Sequence, residues 1–450
     1  MGVTFFPRGG SAHATRALAR QLGVQGWEVT LVTGSISGAN PDADARQFYE
    51  GIDVRPVDFS PALASADPMR FAGPIGIGPM HASFEDRPDA QDRVFAELSD
   101  DDLEIQVGAW TLELAAAGGA DADVLYLHHL TPLNEAAARD FGHVPVVGHV
   151  HGSELLMLER VEAGAPASWQ NAAQWGERLR AWAQRCGAIV VNSPAGRQRA
   201  ATLLRLQEDD FALIPNGFDP EFAPGEIDRR AFWRRHLVDE PRGWLPGREA
   251  GSAAYGAEEL EALEGTVLIS VGRFTEVKHL PVLISAFAKF RERSQTGATA
   301  LVLVGGYPDE WEGEHPAETI ERLGAKDVFL AGWHGHDELP SFLNASDVLV
   351  HPAAPEQFGQ VIVEAMACGL APIAADIAGP ASIVEDGETG WLLAPADERE
   401  LAEAIAEAVT DPGERLRRGR AARAAALESY SWSSIGEDLS ALLERVVRRG

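Results

Sequence analysis

The run Pro355-Glu356-Gln357-Phe358-Gly359-Gln360-Val361-Ile362-Val363-Glu364 sets two carboxylates eight residues apart, with Gly359 between them. The apolar run 347–350 predicts a strand just ahead of it, and the pattern from 359 to 367 predicts a helix. Glu356 therefore belongs to the loop leaving a strand, while Glu364 falls inside the following helix. The unpaired N–H groups of that helix start open into the same space as Glu356. Two acceptors beside a set of donors suit a polyhydroxylated ligand such as a sugar or a ribose.

A second cluster supplies cations. Gly272-Arg273-Phe274-Thr275-Glu276-Val277-Lys278 follows the predicted strand 266–271, and the chain has only three lysines, at 278, 289 and 326. Arg offers a planar fork, Lys a point charge and the helix start a positive dipole end, a set that suits a diphosphate. A solvated surface loop fits two basic residues equally well, and the glutamate pair is what favours the phosphate reading. The phosphate-binding pattern G-x-x-x-x-G-K-[ST] is absent. Gly9 and Gly10, after the strand 3–6, form a turn that delivers bare N–H groups to a helix start. His149-Val150-His151-Gly152-Ser153-Glu154 ends another strand. His149 reads as packed within the sheet, whereas His151, one step before a glycine, is the better site residue. His128 and His129 close the strand 124–127 and, with Glu154, are candidates to meet a second substrate, packing being an equal account of the two histidines.

These clusters need strands and helices in alternation to bring them to one edge. Strands are expected at 3–6, 28–33, 52–57, 124–127, 144–150 and 188–192, then at 266–271, 301–304, 328–330, 348–350 and 371–375. Helices are expected at 14–22, 133–140, 171–185 and 195–206, near 280–292, 316–323, 337–344 and 359–367, and along the tail at 400–409, 412–428 and 432–448. This order predicts an α/β chain of two doubly wound parallel sheets facing each other across a deep cleft, with ligands at the carboxyl ends of the strands. At 450 residues, two domains are the prior. The boundary is placed in the turn-rich Pro215-Asn216-Gly217-Phe218-Asp219, giving 1–217, with the helix 432–450 packed back on it, and 218–431. Residues 59–100 read as an insertion over the sheet edge, and 226–263 as a helical insertion broken at Pro241, Pro246 and Gly251.

Composition narrows the function. The formal charge of −30, with 16 Arg and no Lys against 28 Asp and Glu in residues 1–216, argues against nucleic acid and anionic membranes as partners. The first residues lack a basic leader and cleavage site, no apolar run reaches membrane-span length, and only Cys186 and Cys368 occur. A cytoplasmic protein with no disulfide framework and no zinc site is expected.

Together these residues resemble the family-4 retaining glycosyltransferases with the GT-B fold, over nearly the whole chain. Five motifs carry the resemblance: Arg8-Gly9-Gly10, His151-Gly152-Ser153-Glu154, Pro215-Asn216-Gly217-Phe218-Asp219, Gly272-Arg273 with Lys278, and Glu356 with Glu364. The resemblance implies that Glu356 accepts hydrogen bonds from donor-sugar hydroxyls and Glu364 holds the nucleotide ribose, with Phe358 and Gly359 offering backbone N–H groups and Gln360 joining the set. It implies that Arg273 and Lys278 bind the diphosphate with the Gly10 amide, and that His151 approaches the sugar. The loop of Trp333, His334 and His336 looks like the stretch bordering the nucleobase. Where the family usually has glycine or asparagine after the lysine, this chain has His279. The pattern is nearer to sucrose-phosphate synthase-like and mycothiol-pathway-like branches than to lipid mannosyltransferases. What the resemblance implies is transfer of a hexosyl unit with retention, from a nucleotide sugar, UDP-glucose favoured, to a soluble small-molecule or sugar acceptor, without metal or other cofactor, by a monomer or homodimer. A GT-B nucleotide-sugar epimerase and a non-catalytic nucleotide-sugar-binding protein are the alternatives.

Overall fold

The computed structural model describes residues 1–7, 9–38, 43–85, 92–293, 297–308 and 311–449. The chain forms two compact units, Met1–Asn216 with Trp432–Gly450, and Gly217–Ser431. Apolar runs too short to be helices form the strands, and the helices between them make the crossovers that parallel pairing requires.

In the first unit, β1 (Gly2–Val3), β2 (Thr30–Ser35), β3 (Asp53–Asp58), β4 (Leu125–His128), β5 (Val146–His149), β6 (Ala188–Val191) and β7 (Phe211–Leu213) form a sheet of order β3-β2-β1-β4-β5-β6-β7. Every pair is parallel. On one face, Ala14, Leu18 and Leu22 of the helix Gly9–Val24 share a buried cluster with Ile435, Leu439 and Leu443 of the last helix, Trp432–Val447. Trp27 Nε1 donates to Ser440 Oγ at 2.9 Å, fastening that helix to the same unit.

In the second unit, β8 (Thr266–Val271), β9 (Thr299–Val304), β10 (Val328–Gly332), β11 (Val348–His351), β12 (Ala371–Ala375) and β13 (Trp391–Leu393) form a sheet of order β10-β9-β8-β11-β12-β13, again parallel throughout. Strand order reverses between β1 and β4 in the first sheet and between β8 and β11 in the second. At such a switch point the loops leaving the two strands diverge and open a crevice at their carboxyl ends.

Two expectations change. The described residues of 59–100 do lie along the edge strand β3, where the Asp58 N–H donates to the Gly76 carbonyl at 2.9 Å, but they are core as well as cover: Phe59, Met69, Met80, Phe84, Phe95 and Leu98 lie in the main core of the first unit beside Trp110. Too much apolar surface is packed there for the segment to stand apart. The helix Asp100–Ala116, unforeseen, starts on a capping box between Ser99 and Asp102 and buries Leu103, Val107, Trp110 and Leu114. The stretch 226–263 is only partly helical. Its helix Arg229–Arg234 runs into a π turn, Arg235–Asp239, and the rest braces the second sheet. Trp244 Nε1 donates to the Gly306 carbonyl at 3.1 Å, and the Leu330 N–H donates to the Tyr255 hydroxyl at 2.7 Å. Among the described residues no helix is long and apolar enough to cross a membrane.

Candidate functional site

In the second unit, the two loops at the switch point carry the predicted chemistry. The loop after β8 turns at Gly272 and closes through a short 3-10 turn, Glu276–Lys278. The Lys278 stem lies over Gly272, where an added Cβ would stand 3.3 Å from Cε of the lysine. The loop after β11 brings Glu356 to it: Lys278 Nζ donates to Glu356 Oε2 at 2.7 Å. His351, the last residue of β11, is buried and its Nε2 stands 3.3 Å from the same oxygen. A carboxylate only accepts, so Nε2 carries the proton in this contact. Burial alone would raise the Glu356 carboxyl. The His351 hydrogen bond and the Lys278 charge outweigh it and hold that carboxyl well below the usual range. Burial likewise keeps His351 below the ordinary imidazole value, and thus neutral. One backbone bond ties the two loops together, Ala354 N–H to the Val277 carbonyl at 2.8 Å, and another ties the Glu356 loop to the helix Ala378–Ile383, Gly379 N–H to the Glu356 carbonyl at 3.1 Å.

Gly359 starts the next helix, Gln360–Ala367, at φ 98°, a left-handed turn that glycine makes without strain. One and a half turns on, Glu364 is 2% exposed. Its Oε1 receives His336 Nε2 at 2.9 Å and Gln360 Nε2 at 3.1 Å, and Gln360 also donates to the Gly217 carbonyl at 2.7 Å. His336 Nδ1 lies 3.9 Å from Asp219, so the 217–219 motif, the helix carrying Glu364 and the loop after β10 meet at one point.

The first unit gathers four imidazoles at the ends of β4 and β5. His128 pairs with His149 across the strands. His128 Nδ1 lies 2.9 Å from His151 Nε2, and the Tyr126 hydroxyl 2.6 Å from His149 Nδ1. The rings of His149 and His151 stack at 4.0 Å. Burial, reinforced by the neighbouring imidazoles, keeps His128 and His149 well below their ordinary value and brings His151 down to about 3. Glu154 is fully buried. It accepts from the His151 N–H at 3.2 Å and contacts His129 Nδ1 at 3.3 Å. Burial would raise its carboxyl, but His129 and His151 bring it to about 2.

Among the residues singled out from spacing, Lys278 is thus paired with Glu356 and Gln360 with Glu364. Arg273 is exposed, and its guanidinium has no ion-pair or hydrogen-bond partner among the described residues. Phe358 packs in the core, 4% exposed, leaving only its backbone to meet a ligand. Gly9 and Gly10 open the helix Gly9–Val24 with exposed backbone, and Arg8 lies outside the described residues. His334 needs correction: it is buried, with Nδ1 on Glu338 at 3.2 Å and Nε2 on the Ala331 carbonyl at 3.3 Å, so it braces its loop. His336, two residues on, is the histidine that reaches Glu364. His128, His129 and Glu154 are also buried, so in this arrangement they back His151 and present little surface of their own. His351 went unrecognised because it ends an apolar strand and reads as packing.

The chain matches the family model described as "Glycosyl transferases group 1" over residues 255–425 and that described as "Glycosyltransferase Family 4" over residues 93–222. It is 29% identical over 363 residues to the D-inositol 3-phosphate glycosyltransferase of Stackebrandtia nassauensis, covering 77% of this chain and 74% of that one. It is 35% identical over 249 residues to the enzyme of the same name from Kribbella flavida, covering 52% and 51%. To the alpha-maltose-1-phosphate synthase of Mycolicibacterium smegmatis it is 31% identical over 217 residues, covering 45% and 54%. The chain therefore spans only about half the length of the last two. Among solved structures, sucrose-phosphate synthase from Thermosynechococcus elongatus superposes with TM-score 0.65 at 19% identity, over 100% of this chain and 96% of that one. Anabaena HepE in complex with UDP-glucose superposes with TM-score 0.66 at 19% identity, over 99% and 98%.

Proposed function

We propose, for a chain that belongs to the group 1 and family 4 glycosyltransferases of GT-B fold, that its reaction is retaining transfer of a hexosyl unit from UDP-glucose to a soluble polyhydroxylated acceptor. Use of a nucleotide sugar follows from the family. The observation that carries the finer reading is Lys278 and Glu356 in contact at 2.7 Å, on the two loops flanking the switch point of the second sheet. A cation and a carboxylate side by side are what a sugar diphosphate needs, one group for the leaving anion and one for the hydroxyls.

In this reading Glu356 accepts from sugar hydroxyls, and Glu364, held by His336 and Gln360, takes the ribose. The anomeric C–O bond to the diphosphate breaks, and the acceptor oxygen bonds to the anomeric carbon on the same face. The acceptor proton passes to the departing phosphate oxygen. Lys278, Arg273 and the N–H groups at the start of the helix Gln360–Ala367 stabilise the diphosphate that forms, by fixed electrostatics in place of a divalent ion. HepE, whose complex holds UDP-glucose, supports the choice of donor. The names of the inositol-phosphate and maltose-phosphate relatives support a soluble acceptor.

The test is a thermal-shift panel of UDP-, GDP- and ADP-sugars followed by transfer assays with and without a chelator. A ligand at a hundred times its Kd stabilises by about 2.7 kcal/mol. UDP-glucose should give the largest shift, and turnover should survive chelation. Lys278→Ala and Glu356→Ala should each lower turnover severely and leave the fold intact. No response to any UDP-sugar, or activity restored only by magnesium or manganese, contradicts the reading.

A further inference from the structure

Lys278 and His351 converge on a single oxygen, Glu356 Oε2, at 2.7 and 3.3 Å. In the reading above, which this inference extends, Lys278 turns to the diphosphate when the donor binds. Glu356 then loses its closest partner at the moment it must meet the sugar. Without a second anchor the carboxylate would follow the lysine or swing into water, and a group misplaced by about 1 Å costs about a hundredfold in rate.

We propose that His351 is the positioning residue of the donor-sugar site: its Nε2–H holds Glu356 in place while Lys278 exchanges that carboxylate for the diphosphate. His351 is suited to the task. It ends β11, a central strand paired with β8 on one side and β12 on the other, so its backbone does not follow the loops. Its side chain is 3% exposed, so water competes little for the bond. As a neutral imidazole it offers one N–H to the carboxylate without adding a second positive charge, and Glu356 keeps its negative charge for the sugar hydroxyls.

Glutamine and asparagine separate this role from packing. The Gln amide nitrogen reaches about where Nε2 stands, whereas the Asn amide reaches only the Nδ1 position. Loss of a hydrogen bond to a charged group should lower kcat for UDP-glucose about tenfold to a hundredfold in His351→Asn, and His351→Gln should recover most of it. Because UDP lacks the sugar, its affinity measured by calorimetry should stay within about twofold of wild type in both variants. Equal kcat in the Asn and Gln variants would overturn the proposal. So would UDP affinity falling in step with kcat, which would place His351 in support of the diphosphate loop. Melting curves of both variants confirm that folded protein is compared. A wild-type chain that binds UDP but transfers no sugar counts instead against the reading on which the proposal rests.

Discussion

His279 sits at φ 49°, ψ 36°, in the left-handed region, directly after Lys278. Glycine makes that turn without penalty and asparagine makes it readily, which is the physical reason for the family's preference at this place. Histidine is among the side chains that tolerate it, and here the ring adds a contact, Nε2 to the Ala354 carbonyl at 3.2 Å, that joins the two site loops. His279→Val should therefore lose about 1–2 kcal/mol, read as a shift in the denaturant midpoint, because a β-branched residue resists this conformation. His279→Gly should keep the turn and stay close to wild type. A valine variant as stable as wild type would show that the turn is not fixed as described. Lys278, Glu356 and Glu364 could be found from residue type and spacing because each stands near a strand end or helix start that the apolar pattern locates. His351 and His336 could not. Their roles depend on which way a loop closes, and two positions along a loop, as between His334 and His336, turn a side chain from the core to the site.

At the scale of elements, the loop bearing Glu356 is set by the short helix Ala378–Ile383 as much as by its own strand. A Cβ on Gly379 would stand 2.4 Å from the Phe358 carbonyl oxygen and 2.5 Å from that of Gln357, backbone atoms that cannot step aside. Gly379→Ala should push the loop off the helix at a cost of about 1–3 kcal/mol and, with the donor proposed above, lower kcat, although no side chain of the candidate site changes. Wild-type kinetics in that variant would mean the loop position does not govern Glu356. The central strands and most of the long helices follow from sequence because apolar runs and helical periodicity persist over enough residues. β7 and β13 do not, since three residues at a sheet edge carry no period. The helix Ser153–Gly164 opens on the left-handed Gly152 and has no side-chain cap to announce it. The helix Asp100–Ala116 did have a signal, in the spacing of Ser99 and Asp102, hidden behind an acidic stretch that reads as loop.

For the molecule as a whole, acidification sets two effects against each other. At a formal charge of −30 the folded chain repels itself, and protonating carboxylates between pH 7 and 5 relieves that repulsion. Buried imidazoles oppose it. Burial lowers His151 to about 3 and His236 and His315 to about 4, against about 6.5 in an unfolded chain. The folded values lie below the unfolded one, so the unfolded chain binds more protons between them. The stabilisation is complete above pH 6.5 and is lost as pH falls toward 4 and 3, about 1–2 kcal/mol per ring by pH 5. His315 shows the cause at atomic scale: its Nδ1 accepts the Ala317 N–H at 3.1 Å, capping the helix Pro316–Leu323, which only the unprotonated nitrogen can do. Salt separates the two effects, since at about 1 M the screening length is about 3 Å and the repulsion is largely gone while buried rings are little affected. The melting temperature should thus be lower at pH 5 than at pH 7.5, and the gap should widen in 1 M sodium chloride. His315→Asn, whose side-chain oxygen accepts the same N–H at either pH, should narrow it. A melting temperature that held or rose at pH 5 in high salt would mean that these rings do not govern the acid limb.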